Sequence, residues 1–136
     1  MDCMAAVALI WNSNEFLLIK RADQKGDPWS GQMALPGGHR EPGESCMDTA
    51  VRETMEETGL PISVKKSLGI YHTLNGHVSV AAFECTTDRR DVSPDSEVAK
   101  FFWVSQNSLS HGEESYTYSG YVIFGLTYRI LKDYFH

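Results

Sequence analysis

Apolar residues in this chain fall in short runs broken by polar and glycine-rich stretches, and the period of each run predicts its element. Residues 4 to 11 (MAAVALIW) and 15 to 20 (EFLLIK) flank Asn12-Ser13-Asn14 and read as two strands joined by a tight turn. Residues 45 to 58 (SCMDTAVRETMEET) read as a helix that opens on a capping-box-like pair, Ser45 and Asp48, and stops at Gly59 and Pro61. Strand-like runs recur at 62 to 73, 77 to 85 and 98 to 104, the last two separated by the polar loop TTDRRDVSPDS. The stretch 119 to 135 sets Ile123, Leu126, Ile130, Leu131 and Tyr134 at helical spacing, which predicts an amphipathic helix. Between the hairpin and the first helix, residues 21 to 44 hold five of the 11 glycines and three of the five prolines. A loop that long in a compact domain is usually functional. Strands on both sides of a central helix, with a second helix at the end, predict an α/β fold, a sandwich with a mixed sheet.

The 136 residues suit one domain, 1–136, and a composition of 42% hydrophobic and 22% charged residues excludes disordered, collagen-like and disulfide-scaffold classes. The longest apolar run, Met4 to Trp11, is too short to span a bilayer and lacks the flanks of a secretory signal, so no membrane partner and a cytoplasmic location are expected. Cys3, Cys46 and Cys85 are odd in number and lack metal-site spacing, which predicts free thiols. The formal charge is −6, and the basic pairs Lys20-Arg21, Lys65-Lys66 and Arg89-Arg90 are too scattered for a nucleic-acid groove. That acidity is local. Residues 41 to 57 contain six acids and one base, a net of −5, whereas the rest of the chain has 12 acids and 11 bases.

Glu53, Glu56 and Glu57, spaced i, i+3 and i+4, share one helix face, with Met47, Ala50, Val51, Thr54 and Thr58 on the adjoining face expected to pack on the sheet. Like charges at this spacing cost roughly 0.2–0.5 kcal/mol per pair in an isolated helix, so the cluster calls for a cation or a basic partner. Magnesium fits, being a hard ion that takes oxygen ligands and bridges carboxylates to phosphate oxygens; manganese is its alternative. A solvated charged face would explain the three glutamates equally well if the helix stood alone. It does not stand alone. From Gly38 the chain reads GHREPGESCMDTAVRETMEETGL, which matches the Nudix box GX5EX7REUXEEXGU at Gly38, Glu44, Arg52, Glu53, Glu56, Glu57 and Gly59. Seven fixed positions at residue frequencies of roughly 5–7% match by chance on the order of 10⁻⁷ times per chain. Thr54 stands where the pattern asks for a bulky apolar residue; Leu60 satisfies the other apolar slot.

The chain therefore resembles the Nudix hydrolases, which cleave nucleoside diphosphates linked to another moiety, with divalent metal, on an α/β/α sandwich. The resemblance implies metal binding by Glu53, Glu56 and Glu57, with a further ligand from the backbone carbonyl of Gly37. It gives Arg52 and Glu44 the part of an ion pair fixing the loop to the helix, with Gly38 and Gly59 supporting the box. Water would attack phosphorus and break a P–O bond, its proton passing either to Glu53 or to an acid on a later loop, for which Glu97 is the candidate and Asp95 a weaker one. Arg21, His39 and Trp29 are candidate substrate contacts, by phosphate clamping and base stacking, as are Tyr116 and Tyr118, read as loop aromatics. Trp103 reads as core, and His72 and His77 as strand-end residues. The approach GDPWSGQMALPGG and the segment YVIFGLTYRIL resemble coenzyme A diphosphatases, which sets coenzyme A-like compounds first as substrates, then ADP-ribose or nucleotide sugars, then oxidised nucleoside triphosphates. By analogy the chain forms a homodimer. A catalytically silent Nudix-fold module that binds nucleotide or protein is the alternative; a serine hydrolase is not, since no G-x-S-x-G elbow occurs.

Overall fold

A computed structural model, describing residues 2–136, shows the first hairpin where the pattern predicts it: β1 (Ala5–Asn12) and β2 (Glu15–Arg21) meet antiparallel through Trp11↔Phe16. The strands then part, and the segment carrying β3 (Met33–Ala34) and β4 (Gly37–His39) fills the gap. β3 pairs with β2 through Ile19↔Ala34, β4 pairs with β1 through Val7↔Gly37, and the Ala8 N–H donates to the Pro36 carbonyl between them at 2.9 Å. On its other edge β1 runs parallel to β6 (Ser79–Thr86), from Ala5↔Val80 to Trp11↔Thr86. β5 (Ser63–His72) pairs with β6, and β7 (Val98–Val104) with β2, completing a mixed seven-stranded sheet. A small second sheet comprises β8 (Ser110–Gly112), β9 (Ser115–Tyr118) and β10 (Tyr121–Ile123).

Alternation along β1 and β2 splits the core between the two faces of the sheet. Ala6, Ala8, Ile10, Leu17 and Ile19 pack with α1 (Cys46–Thr58), whereas Leu9, Phe16 and Leu18 pack with α2 (Gly125–Tyr134) and the small sheet. The α/β sandwich with a mixed sheet is thus the architecture found. Among the described residues no helix is long and apolar enough to cross a membrane.

Four expectations need correction. The 21–44 loop contains β3 and β4, whose runs of two and three residues are too short to leave a period in the sequence. The final helix starts at Gly125 and not at 119: Ser119 (φ 49°) and Gly120 (φ 87°) form the turn between β9 and β10, and the apolar run Tyr121–Ile123 is a strand. Tyr116 and Tyr118 accordingly lie on β9, with Tyr116 buried in the core. On α1, Ala50, Thr54 and Thr58 pack inward as expected, but Met47 and Val51 are exposed, and Cys46, Thr49 and Glu57 turn inward in their place. The sheet beneath is floored by Ala6, Ala8 and Ala81, all fully buried, so the helix lies close and only small side chains fit between. Thr54 fits, although its buried hydroxyl oxygen has no hydrogen-bond partner.

The fourth correction concerns the cysteines. Cys3 and Cys46 form a disulfide, with Cα atoms 6.1 Å apart, and Cys85 alone is free and buried. Pairing of β1 with β4 brings the two ends of the 43-residue separation together: Arg40 N–H donates to the Met4 carbonyl and Arg40 Nε to the Cys3 carbonyl, both at 2.9 Å. The chain then needs only residues 41–45 to return the first turn of α1 to Cys3. Denatured without reductant, the protein should show one titratable thiol per chain, and three after reduction. Cys46→Ser should lower stability by about 2–4 kcal/mol, read from denaturant melts.

Candidate active site

The cap sequence sets the start of α1. Ser45 Oγ accepts the Asp48 N–H at 3.0 Å while the Asp48 carboxylate accepts the Ser45 N–H at 3.2 Å, and the helix closes on Gly59 in the left-handed region (φ 74°). Two turns in, Arg52 gathers the acids of the box. Its guanidinium donates to both oxygens of Glu44 at 2.5 and 3.1 Å, to Glu53 Oε1 and Glu56 Oε1 at 2.9 Å, and to the His39 carbonyl at 2.9 Å. The hydrogen bond from Arg52, helped by the Glu41 N–H, holds the Glu44 carboxyl down at about 2. The loop-to-helix ion pair expected of Arg52 and Glu44 is therefore present, and Glu56 is held at the exposed rim by the same cation.

Glu57 goes the other way. Only 1% exposed, it accepts the Gly37 N–H at 3.4 Å. Burial pushes its carboxyl up to about 8, with the charges of Glu53 and Glu97 acting in the same direction. Burial likewise raises Glu53. A Cβ on Gly37 would run into the Ala6 carbonyl and the Val7 backbone, and one on Gly38 would occupy the place of the Glu53 carboxylate. The paired glycines thus allow both the sheet and the helix carboxylates to close on one point.

Glu97 reaches that point by a route no local pattern reveals. The last carbonyls of α1 lack intrahelical partners, and the 93–97 loop supplies them: Ser93 N–H donates to Thr58 O at 2.8 Å and Asp95 N–H to Glu57 O at 3.0 Å. Asp95 Oδ1 then accepts the Glu97 N–H at 2.9 Å, and the Glu97 carbonyl accepts the Ala22 N–H at 2.9 Å. As a result one carboxylate oxygen from each of Glu53, Glu57 and Glu97 lies within 4.8 Å of the others. Three hard oxygen donors this close, two of them raised by burial, fit a divalent cation such as magnesium, which would be held by these residues.

The carboxylates form one end of a cleft of about 1000 Å³. Arg21, Trp29, Gly37, Gly38, His39, Glu56 and Asp95 line it, as does Glu97; Tyr116, Tyr118 and Trp103 do not. Arg21 Nη2 pairs with Asp27 at 2.9 Å and leaves a buried Nε without a partner. Trp103 sits half-buried on β7 under the Arg90 guanidinium, 4.9 Å from the ring centroid. The cleft is also lined by the β5–β6 turn and the start of α2, through Leu74 and Asn75, which carry no local signal in the sequence, and through Phe124 and Arg129, which fall in the segment YVIFGLTYRIL.

Residues 1–120 match the NUDIX domain model, and the chain belongs to that family. The ADP-ribose pyrophosphatase of Methanocaldococcus jannaschii is 38% identical over an alignment covering 73% of this chain; the chain spans 60% of that relative's length. The nucleoside triphosphatase NudI of Enterobacter sp. is 30% identical, with 75% of this chain and 81% of the relative covered. Among solved structures, a MutT protein from Methanosarcina mazei superposes with a TM-score of 0.64 at 30% identity, covering 76% of each chain. A MutT/nudix family protein from Enterococcus faecalis, at 19% identity, shares the fold with a TM-score of 0.74, covering 98% of this chain and 60% of its own.

Two outcomes are expected. The Gly38→Ala variant should fold, because the new Cβ meets only the movable end of Glu53, yet lose at least ten-fold in magnesium affinity by calorimetry; Gly37→Ala, which meets backbone, should not fold. An acid whose folded pKa exceeds its unfolded one favours the folded state only while protonated. Cation-free protein should therefore lose stability as pH rises from about 5 to about 8, and magnesium should raise the melting temperature far more at pH 8 than at pH 5.5.

Proposed function

We propose that this chain is a metal-dependent hydrolase of the pyrophosphate bond in a nucleoside diphosphate linked to another moiety. The observation that carries this reading is the meeting of Glu53, Glu57 and Glu97 at the end of a cleft long enough for a nucleotide. A divalent cation bound there would hold phosphate oxygens and lower the pKa of the attacking water. The chain's own residues supply the rest. Arg21 lines the cleft, where its guanidinium can meet a phosphate oxygen, and Arg52 holds Glu44, Glu53 and Glu56 in place by ion pairs. Glu97 is our choice for the group that takes the proton of the attacking water: its carboxylate makes no hydrogen bond among the described residues, whereas Glu53 is tied to Arg52 and Glu57 to Gly37. As the water adds to phosphorus, the bridging P–O bond breaks and its electron pair leaves with the departing phosphate oxygen. The relatives named for ADP-ribose and nucleoside triphosphate hydrolysis support the nucleotide part of this reading.

The test is a panel of nucleotide sugars, ADP-ribose, coenzyme A and nucleoside triphosphates, assayed with and without magnesium or manganese. Cleavage should require the cation. Glu57→Gln should reduce kcat by at least 10³-fold through loss of cation binding, and Glu97→Gln should reduce kcat by roughly 10²–10⁴-fold with cation affinity reduced less. Cation-independent cleavage, or none by the wild type, would leave the silent binding module as the better description.

A further inference from the structure

The part of the cleft lined by the β5–β6 turn and α2 holds no carboxylate among the described residues, and its one charged side chain is Arg129. Arg129 donates through Nη2 to the His72 carbonyl at 2.7 Å; its Nε is buried without a partner, and its Nη1 makes no hydrogen bond. No carboxylate pairs with it among the described residues. Asp133, one helical turn further along, is taken by the Tyr71 hydroxyl at 2.7 Å. Beside Arg129 in the β5–β6 turn stands Asn75, whose carboxamide oxygen already accepts from the Thr73 hydroxyl at 2.6 Å and the His77 N–H at 2.9 Å. What Asn75 has left to present is its NH₂ group, another donor. The cleft's acids, Glu53, Glu56, Glu57, Asp95 and Glu97, all come from other elements, α1 and the 93–97 loop.

Carbon surrounds these donors. Leu74, 92% exposed at the tip of the turn, and Phe124, 46% exposed at the start of α2, stand with Val78 and Leu126 around the same end. Such walls suit a flat ring and not a hydrated phosphate. A purine with oxygen at position 6 presents two acceptors on one edge, O6 and N7, the pair a guanidinium reads by two parallel hydrogen bonds. Adenine puts an NH₂ donor in place of O6, facing Arg129 with a like group.

We propose that Arg129 is a specificity-determining residue that reads the base, so that the enzyme prefers guanine-type nucleotides to adenine ones; this rests on the reading of the cleft as a nucleotide hydrolase site. ADP-ribose and coenzyme A-like compounds, both adenine-bearing, then fall behind guanosine diphosphate sugars as substrates.

The test uses matched pairs that differ only in the base, GDP-glucose against ADP-glucose and GTP against ATP, with magnesium. The wild type should favour the guanine member at least ten-fold in kcat/KM. Arg129→Met, which keeps the volume and removes the donors, should cut kcat/KM on the guanine member by ten- to hundred-fold and change the adenine member less than three-fold, collapsing the ratio. Phe124→Ala should weaken both members alike and leave the ratio in place. Because Arg129 also binds the His72 carbonyl, a thermal melt of each variant accompanies the kinetics. An adenine preference in the wild type, or equal losses on both members in Arg129→Met, overturns the proposal. If the wild type cleaves nothing, the hydrolase reading fails separately. Calorimetric binding of GMP against AMP to wild type and Arg129→Met then decides the role of Arg129, and equal affinities overturn it.

Discussion

The close approach of α1 to the Gly37-Gly38 backbone is the constraint on which the rest of this structure depends. It requires no side chain on β4 at two consecutive positions, and little more than methyl groups on the strand surface below, where Ala6, Ala8 and Ala81 lie. With the helix this low, Glu57 is taken almost wholly out of water, and a buried carboxylate whose one backbone hydrogen bond is long, and which has no basic partner among the described residues, is costly in its ionised form. Neutralising it by a bound cation and leaving it protonated are the two ways to lower that cost. On the metal-dependent reading, the helix position would itself supply the affinity for a cation before any substrate is considered.

Arg52 explains why this acidic segment folds at all. Four of its carboxylates, from Glu41, Glu44, Glu53 and Glu56, lie within ion-pairing distance of one guanidinium, whose planar fork can serve several oxygens at once. Glu57 is left outside that network, and Glu53 has one oxygen inside it. The seventeen-residue stretch with net charge −5 is therefore divided into a part neutralised by protein and a part reserved for a cation. A lysine at position 52 would carry the same charge but could not hold the loop, the helix and the His39 carbonyl in one plane.

Much of this was legible in the sequence because it is local. The hairpin, the capping box, the Gly59 stop and the Arg52–Glu44 pair all rest on residues within a few turns of each other, where spacing dictates geometry. What escaped the pattern depends on contacts far apart in the chain. The inward face of α1 is read correctly at Ala50, Thr54 and Thr58 but not at Met47 and Val51, which hydrophobicity alone favours while the alanine floor admits only small groups. Cys3 and Cys46 were expected to be free because nothing in their spacing anticipates that β1 and β4 pair. The start of the final helix was placed early because a three-residue strand and a helical turn share the apolar run 121–124. Glu97 was recognised as a candidate, yet its delivery to Glu57 depends on the loop completing the hydrogen bonds of the helix end.

The polarity of the cleft completes the argument. One part concentrates carboxylates and would attract a cation, and through it phosphate; the other holds no carboxylate, the Asn75 carboxamide oxygen is already taken, and the Arg129 guanidinium has no acidic partner among the described residues. A ligand that fills both ends must be anionic where it meets the cation and acceptor-rich where it meets Arg129 and Asn75, with a flat apolar body between Leu74 and Phe124. The acidic end is built from residues of the family motif and one loop glutamate, whereas the donor end is built from a turn and a helix outside the motif. On the proposed reading, chemistry and selection of substrate would be held by different parts of the chain, so that the second could change with the first left intact.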